Sequence, residues 1–255
     1  MDDFLRWGFI ALGGFFAGAV NSVAGGGTIV SFPVLVWAGI DPVAASATNS
    51  VALFPATISG TWGFQRDLIG TGRAWWLLAI PATVGGLAGA ALLLAIEPVI
   101  FEVLAPWLVL GASVLLAVRE GLMRHLPSTG QTTMSWVIAT LVLLAVGVYA
   151  GFFGAGIGII LLATLGLLGL DDLHRMNALK NFYSAAMKGA ALVWFALLGG
   201  GIVDWPAAVV MAAGSFAGAF AGARVAYRIG RDHTRRLVVA IGIALSATLL
   251  VRLVT

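Results

Sequence analysis

Asn177, Asn181, Ser184 and Lys188 follow one another at steps of four, three and four residues, so on a helix they form one narrow polar face among apolar neighbours. Lys180 borders that face, and Lys180 and Lys188 are the only lysines in the chain. A charged residue at mid-bilayer costs about 2.5–3.5 kcal/mol on insertion scales, which makes a lysine at the centre of an apolar run a marker of a substrate path. Lys180 lies near enough to the start of its run to snorkel to the interface, whereas Lys188 sits at the centre. The competing roles are a structural ion pair or an end-of-helix anchor. With Glu97 and Glu102 read as an acidic turn, no Asp or Glu stands inside a span, and an anionic substrate is the evident counter-charge. A cation carrier would ordinarily show an intramembrane carboxylate.

The first half of the chain carries a parallel set. Asn21 and Ser22 precede Gly25, Gly26, Gly27 and Thr28, and a second polar run, Ser46 to Ser50, contains Asn49 and continues as a helical stripe to Thr57. Three glycines in a row break helical hydrogen bonding, which is tolerated at membrane depth only where backbone is buried in protein or lines a wet cavity. Freed N–H groups and the positive end of a helix starting near Thr28 suit an anion. The alternative is a close helix crossing through small residues. Gly154, Gly156 and Gly158 repeat the feature without a hydroxyl beside it. Gln65, Arg66 and Asp67 close the first polar helix as a candidate gate or proton-linked group, with a simple positive-inside anchor as the alternative.

These residues need elements to hold them, and the composition says of what kind. The 255 residues are 60% hydrophobic and 10% charged, against about 45–50% and about 25% in a soluble domain. Too few polar residues exist to cover a water-facing surface, so lipid must cover it. There is no cysteine, and His125, His174 and His233 fall in polar connections, so metal sites and thiol chemistry are not expected, nor any cofactor. The net charge of +3 comes with arginines at the ends of apolar runs, which points to membrane topology and away from nucleic acid. Apolar runs near the roughly 20 residues needed to cross a bilayer occur at 4–23, 44–62, 74–96, 99–118, 134–152, 176–198, 206–227 and 237–254. Two shorter runs, 29–40 and 157–170, each follow a glycine cluster and suit half-spans or re-entrant helices. The first run reads as part of the fold and not as a signal peptide, because its flank with Asp2, Asp3 and Arg6 is not net positive. The fold class expected is an all-α polytopic membrane protein of ten segments.

Segment order is the same on both sides of the polar stretch 119–133, giving a first repeat over 1–118 and a second over 134–255. Gly14 and Gly18 match Gly147 and Gly151, Asn49 matches Asn181, and Ser46 matches Asn177. Arginines 66 and 73, then 119 and 124, then 228, 231, 235 and 236 mark three cytoplasmic connections, whereas the Glu97 and Asp204 turns go outside. Equivalent hairpins thus fall on opposite sides, so the repeat is inverted and both termini lie outside the cytoplasm. Inverted repeats are a common plan of secondary transporters, whose sites lie where interrupted helices meet.

Gly18, Asn21, Gly25 to Thr28, Pro33, Pro42, the Ser46 to Ser50 run and the Arg66, Asp67 pair resemble the first half of the TauE/SafE family, also called toluene sulfonate uptake permeases. Gly151, Gly154, Gly156, Gly158 and Asn181 are similar to that family's second repeat. The resemblance implies a multi-pass permease of the bacterial inner membrane for sulfite, sulfonates or other sulfur-containing anions, often acting as an exporter. It implies anion contact by Asn21, the Gly25 to Thr28 loop, Asn49 and their second-half equivalents. Ala178, Leu179 and Lys180 depart from the small or hydroxylated residues usual there, which leaves the substrate open. The expected partners are one small anion and membrane lipid, with a homodimer admitted. An anion channel, or a permease taking up sulfate, nitrite or an organic acid, is the alternative. No embedded nucleophile, paired carboxylate or metal set supports an enzyme.

Overall fold

A computed structural model describes the backbone over residues 3–124, 135–170, 172–229 and 231–254. Side chains at 22–24, 122–124, 222–229, 231–235, 237, 245 and 252–254 lie outside the description, and with them the expectations placed on Asp2, the Ser22 hydroxyl, Arg124, His125, Arg228, Arg231, His233, Arg235 and most of the 119–133 connection.

Described residues form helices α1 (Asp3–Ala24), α2 (Thr28–Trp37), α3 (Pro42–Gly63), α4 (Arg73–Leu77), α5 (Ala79–Ala95), α6 (Pro98–Arg124), α7 (Trp136–Phe152), α8 (Ile157–Leu167), α9 (Leu173–Leu198), α10 (Trp205–Ile229) and α11 (Arg231–Val254), with a 3₁₀ turn at Gln65–Leu68. No strand occurs among them, and the protein is an all-α polytopic membrane protein. Three stretches, Asp3–Asn21, Arg73–Ala95 and Pro98–Gly121, are by themselves long and apolar enough to cross a membrane. Helices α3 and α9 are as long, at 22 and 26 residues, but carry the polar stripes.

Local chemistry sets the ends. Asp41 accepts hydrogen bonds from the Val43 and Ala44 N–H groups and Pro42 takes the first turn of α3, where its missing N–H is harmless. Asp172 caps α9 in the same way through His174 and Arg175. The run expected over 74–96 is divided at Leu78, because Pro81 cannot donate to the carbonyl at position 77 and its ring crowds it. Helix α6 continues to Arg124, beyond the expected end at 118. It also includes Glu102 and Glu120, so the expectation that no carboxylate stands within a span is corrected: both are exposed, the first in the second turn of α6 and the second near the other end of that span.

Packing between the halves is reciprocal. Helix α1 lies along α10 and α7 along α5, while α3 faces α9 and α6 faces α11. In the α1–α10 pair Gly14 abuts the backbone of Met211, Gly18 that of Ser215, and Gly218 that of Phe15, so the two run parallel. In the α5–α7 pair Gly85 meets Leu144 and Gly89 meets Val148, again parallel. Backbones this close leave no room for a Cβ, which is why glycines recur there. Gly60 of α3 sits against Asn181 and Phe54 against Gly189, so α3 and α9 pass antiparallel. Thr48 accepts from the Asp204 N–H and Ser215 donates to the Ala52 carbonyl, so α3 runs with α10 and α1. Tyr183 donates to the Trp75 carbonyl and Met187 abuts Gly86, so α9 runs with α5 and α7. Helices α1, α3 and α10 therefore point one way, and α5, α7 and α9 the other.

Two ends of the bundle follow. At one, Arg6 donates to the Ala38 carbonyl at 3.0 Å and meets Asp204 at 3.5 Å, next to the starts of α3 and α6 and the end of α11. At the other, the Trp75 and Trp136 rings meet at 5.3 Å, beside the starts of α5, α7 and α9. These are called the Arg6 end and the Trp75 end below.

Candidate anion site

Helices α1 and α2 are separated by a break at Gly25 to Gly27, and α7 and α8 by one at residues 153–156. The turns need left-handed backbone, at Gly25 (φ 76°) and at Gly154 and Gly156 (φ 74° and 72°), which glycine adopts without penalty. Tyr149 fixes the second break by donating to the Ala155 carbonyl at 2.7 Å. The two breaks touch: a Cβ added to Gly25 would come within 3.2 Å of the Gly158 Cα, and one added to Gly158 within 3.1 Å of the Gly25 Cα. The short helices α2 and α8 thus start from one central point, each presenting the positive end of its dipole.

A cavity occupies that point, lined by Asn21, Gly25 and Thr28 from the first break, Thr57 from α3, Gly154, Ile157 and Gly158 from the second break, and Lys180, Asn181, Ser184 and Lys188 from α9. Its volume is about 20 Å³, room for about one water molecule. Lys180 and Lys188 are 8% and 5% exposed. The Lys180 ammonium donates to the Asn177 side-chain carbonyl at 3.1 Å, and Asn177 in turn donates to the Leu173 carbonyl at 2.8 Å. Lys188 has no hydrogen-bond or ion-pair partner among the described residues, and no carboxylate lines the cavity. Two helix dipoles, two ammonium groups and amide and hydroxyl donors converge on a space without negative charge, which is the chemistry of an anion site.

Of the residues singled out from sequence, Asn21, Gly25, Thr28, Lys180, Asn181, Ser184 and Lys188 come together here. Others stand behind the wall. Asn49 is fully buried; it accepts from the Ser31 hydroxyl and donates to that of Thr28 at 3.3 Å, locking α2 onto α3. Ser46 donates to the Phe152 carbonyl at 2.9 Å, joining α3 to α7. Ser50 is buried with no hydrogen-bond partner among the described residues. Gly26 and Gly27 are buried in the break, where Gly27 packs on the Ala17 carbonyl and on Asn21. Gln65 and Arg66 are exposed and Asp67 half-buried in the 3₁₀ turn, which packs on α9 outside the cavity. Thr57, Gly154 and Gly158 were visible in the stripe and the glycine cluster, whereas Ile157 contributes through its place at a helix start and gave no polar signal.

The profile described as Sulfite exporter TauE/SafE matches residues 10–249. The chain belongs to the TauE/SafE family. Among its curated relatives, the "Probable membrane transporter protein" of Haemophilus influenzae is 30% identical over 238 residues, covering 92% of this chain and 90% of that protein. The "Probable membrane transporter protein YfcA" of Escherichia coli K12 is 30% identical over 246 residues, covering 95% and 87%. The "Probable membrane transporter protein ORF9" of a Sinorhizobium species is 27% identical over 245 residues, covering 95% and 91%. No solved structure matches the chain. The protein is a membrane transporter.

Proposed function

We propose that the protein is a secondary transporter that exports a small sulfur-containing anion, sulfite or a two-carbon sulfonate, across the bacterial inner membrane by alternating access. The observation that carries this reading is the pair of buried lysines beside two converging helix starts, in a cavity that no carboxylate lines. An oxyanion satisfies the ammonium groups, the Asn21 and Asn181 amides and the Thr28 and Ser184 hydroxyls together. The two halves act as an inverted pair, with the Trp75 end in the cytoplasm and the Arg6 end and both termini outside. Export has a ready driving force: expelling one negative charge from a negative cytoplasm gains about 2.3 kcal/mol per 100 mV, so no coupling ion is required.

The test is a thermal-shift panel of sulfite, sulfate, isethionate, sulfoacetate, taurine and nitrite on purified protein, followed by flux of the best binder in liposomes. A ligand of the native state raises Tm. Sulfite or a sulfonate should give the largest shift and a saturable, counter-transporting flux. A shift with nitrite alone would move the assignment to another anion, and flux that never saturates would make the protein a channel.

A further inference from the structure

A second cavity, of about 250 Å³, opens near the Arg6 end between the end of α2, the α2–α3 turn, the second turn of α6 and the end of α11. Phe32 and Val36 form its inner wall, Ala105, Pro106 and Leu249 its sides, and the Asp41 and Glu102 carboxylates its charged lining. Phe32 stands one helical turn after Thr28, which lines the central cavity, so a single turn of α2 separates the two spaces.

That turn is filled by aromatic rings. Phe32 is fully buried and packs edge-on to Phe153 at 5.0 Å and to Phe101 at 6.3 Å, and Phe101 packs on Phe152 at 5.3 Å. Phe153 directly precedes Gly154, a wall residue of the central cavity. The cluster therefore draws one ring from α2, one from α6, one from the end of α7 and one from the second break, so any movement of α2 against the α7–α8 break must open or reseat it. We infer that the larger cavity is the outer vestibule of the anion path and that Phe32, backed by Phe101 and Phe153, is the gate between vestibule and central site. This rests on the transport reading above. Of the two acidic residues, Asp41 caps α3 and Glu102 is exposed, so the vestibule offers an anion no site at which to dwell.

The chain has no cysteine, so a single introduced thiol reports its own access. Glu102→Cys in the vestibule fixes which side of the membrane reaches the Arg6 end, using an impermeant maleimide on intact cells or on vesicles of known sidedness. Thr28→Cys in the central cavity should then resist the reagent from that side and react from the opposite side. Combined with Phe32→Ala, or independently with Phe101→Ala, it should become reactive from the Glu102 side, at least tenfold faster than before, while still reacting from the opposite side. Equal reactivity with Phe32 intact would overturn the gate. So would no gain in either double variant, provided each still labels from the opposite side as a folded protein does. Neither readout depends on which anion is carried, so a wrong substrate leaves this test standing.

Discussion

A lysine, Lys188, that is 5% exposed with no carboxylate lining its cavity destabilises the empty protein and stabilises the loaded one. Lys188→Met keeps the length and apolar volume of the side chain and removes the charge. The ligand-free variant should therefore melt higher than the parent, while a charge-assisted bond worth about 1.5–3 kcal/mol is lost from the complex, lowering anion affinity about ten- to hundredfold. Unchanged flux for every anion of the panel would end the central role given to this lysine. The two asparagines at matched sequence positions predict opposite phenotypes. Asn49 is fully buried between the Thr28 and Ser31 hydroxyls, so Asn49→Ala should destabilise the fold by about 1–3 kcal/mol through unmade bonds. Asn181 is half-buried on the cavity wall, so Asn181→Ala should leave the melting temperature nearly unchanged and weaken the anion-induced shift. Equal loss of stability in both would contradict the division of labour between wall and frame.

Glycines do two different jobs in these helices, and one substitution pair separates packing from neutrality. A Cβ on Gly18 would collide with the Ser215 carbonyl oxygen, whereas nothing lies within 4 Å of one on Gly8. Gly18→Ala should lower the melting temperature in detergent, by the roughly 1–3 kcal/mol typical of overpacking or more, and Gly8→Ala should be neutral or slightly stabilising because alanine favours helix. If the two variants melt alike, α1 and α10 do not pack as described. The matched glycines Gly14, Gly18, Gly147 and Gly151 were read as a repeat, and in the structure they sit at helix crossings. The Gly25 to Gly27 and Gly154 to Gly158 clusters hold the site. Run length alone does not separate the two classes, since the adjacent Gly85 and Gly86 cross helices inside α5 whereas Gly154 and Gly156, two residues apart, take left-handed backbone at a break. Of the stripe read on α9, Asn181, Ser184 and Lys188 line the cavity together with the bordering Lys180, whereas Asn177 bonds Lys180 and the Leu173 carbonyl outside the lining. On the matching run of α3, Ser46 bonds α7, Asn49 bonds α2 and Ser50 is buried without a partner among the described residues, and of the stripe only Thr57 lines the cavity. Periodicity marks a face without saying whether ligand or protein covers it. Glu102 was misplaced for a related reason: an acidic residue near a run's end reads as turn until the helix start at Pro98 is known.

At the scale of the molecule, opposed helix directions and charge asymmetry make two separate statements that one set of thiols can test apart. Helices α5 and α9 run toward the Arg6 end, so the exposed turns carrying Glu97 and Gly200 share that end, although they come from different halves of the chain. The Gln65 turn and Ser135, exposed at the start of α7, share the Trp75 end. Arginines 66 and 73 flank the latter end, and short loops rich in arginine stay cytoplasmic. Single cysteines at Glu97 and Gly200 should accordingly be labelled by an impermeant reagent on intact spheroplasts, and those at Gln65 and Ser135 only after permeabilisation. Labelling of Glu97→Cys and Gly200→Cys from opposite sides would refute the opposed directions themselves. Both reacting only from the cytoplasm would keep the architecture and reverse the membrane orientation, turning the vestibule inward. The side of the central cavity away from the vestibule would then face the outside, and the same lysines would serve an importer.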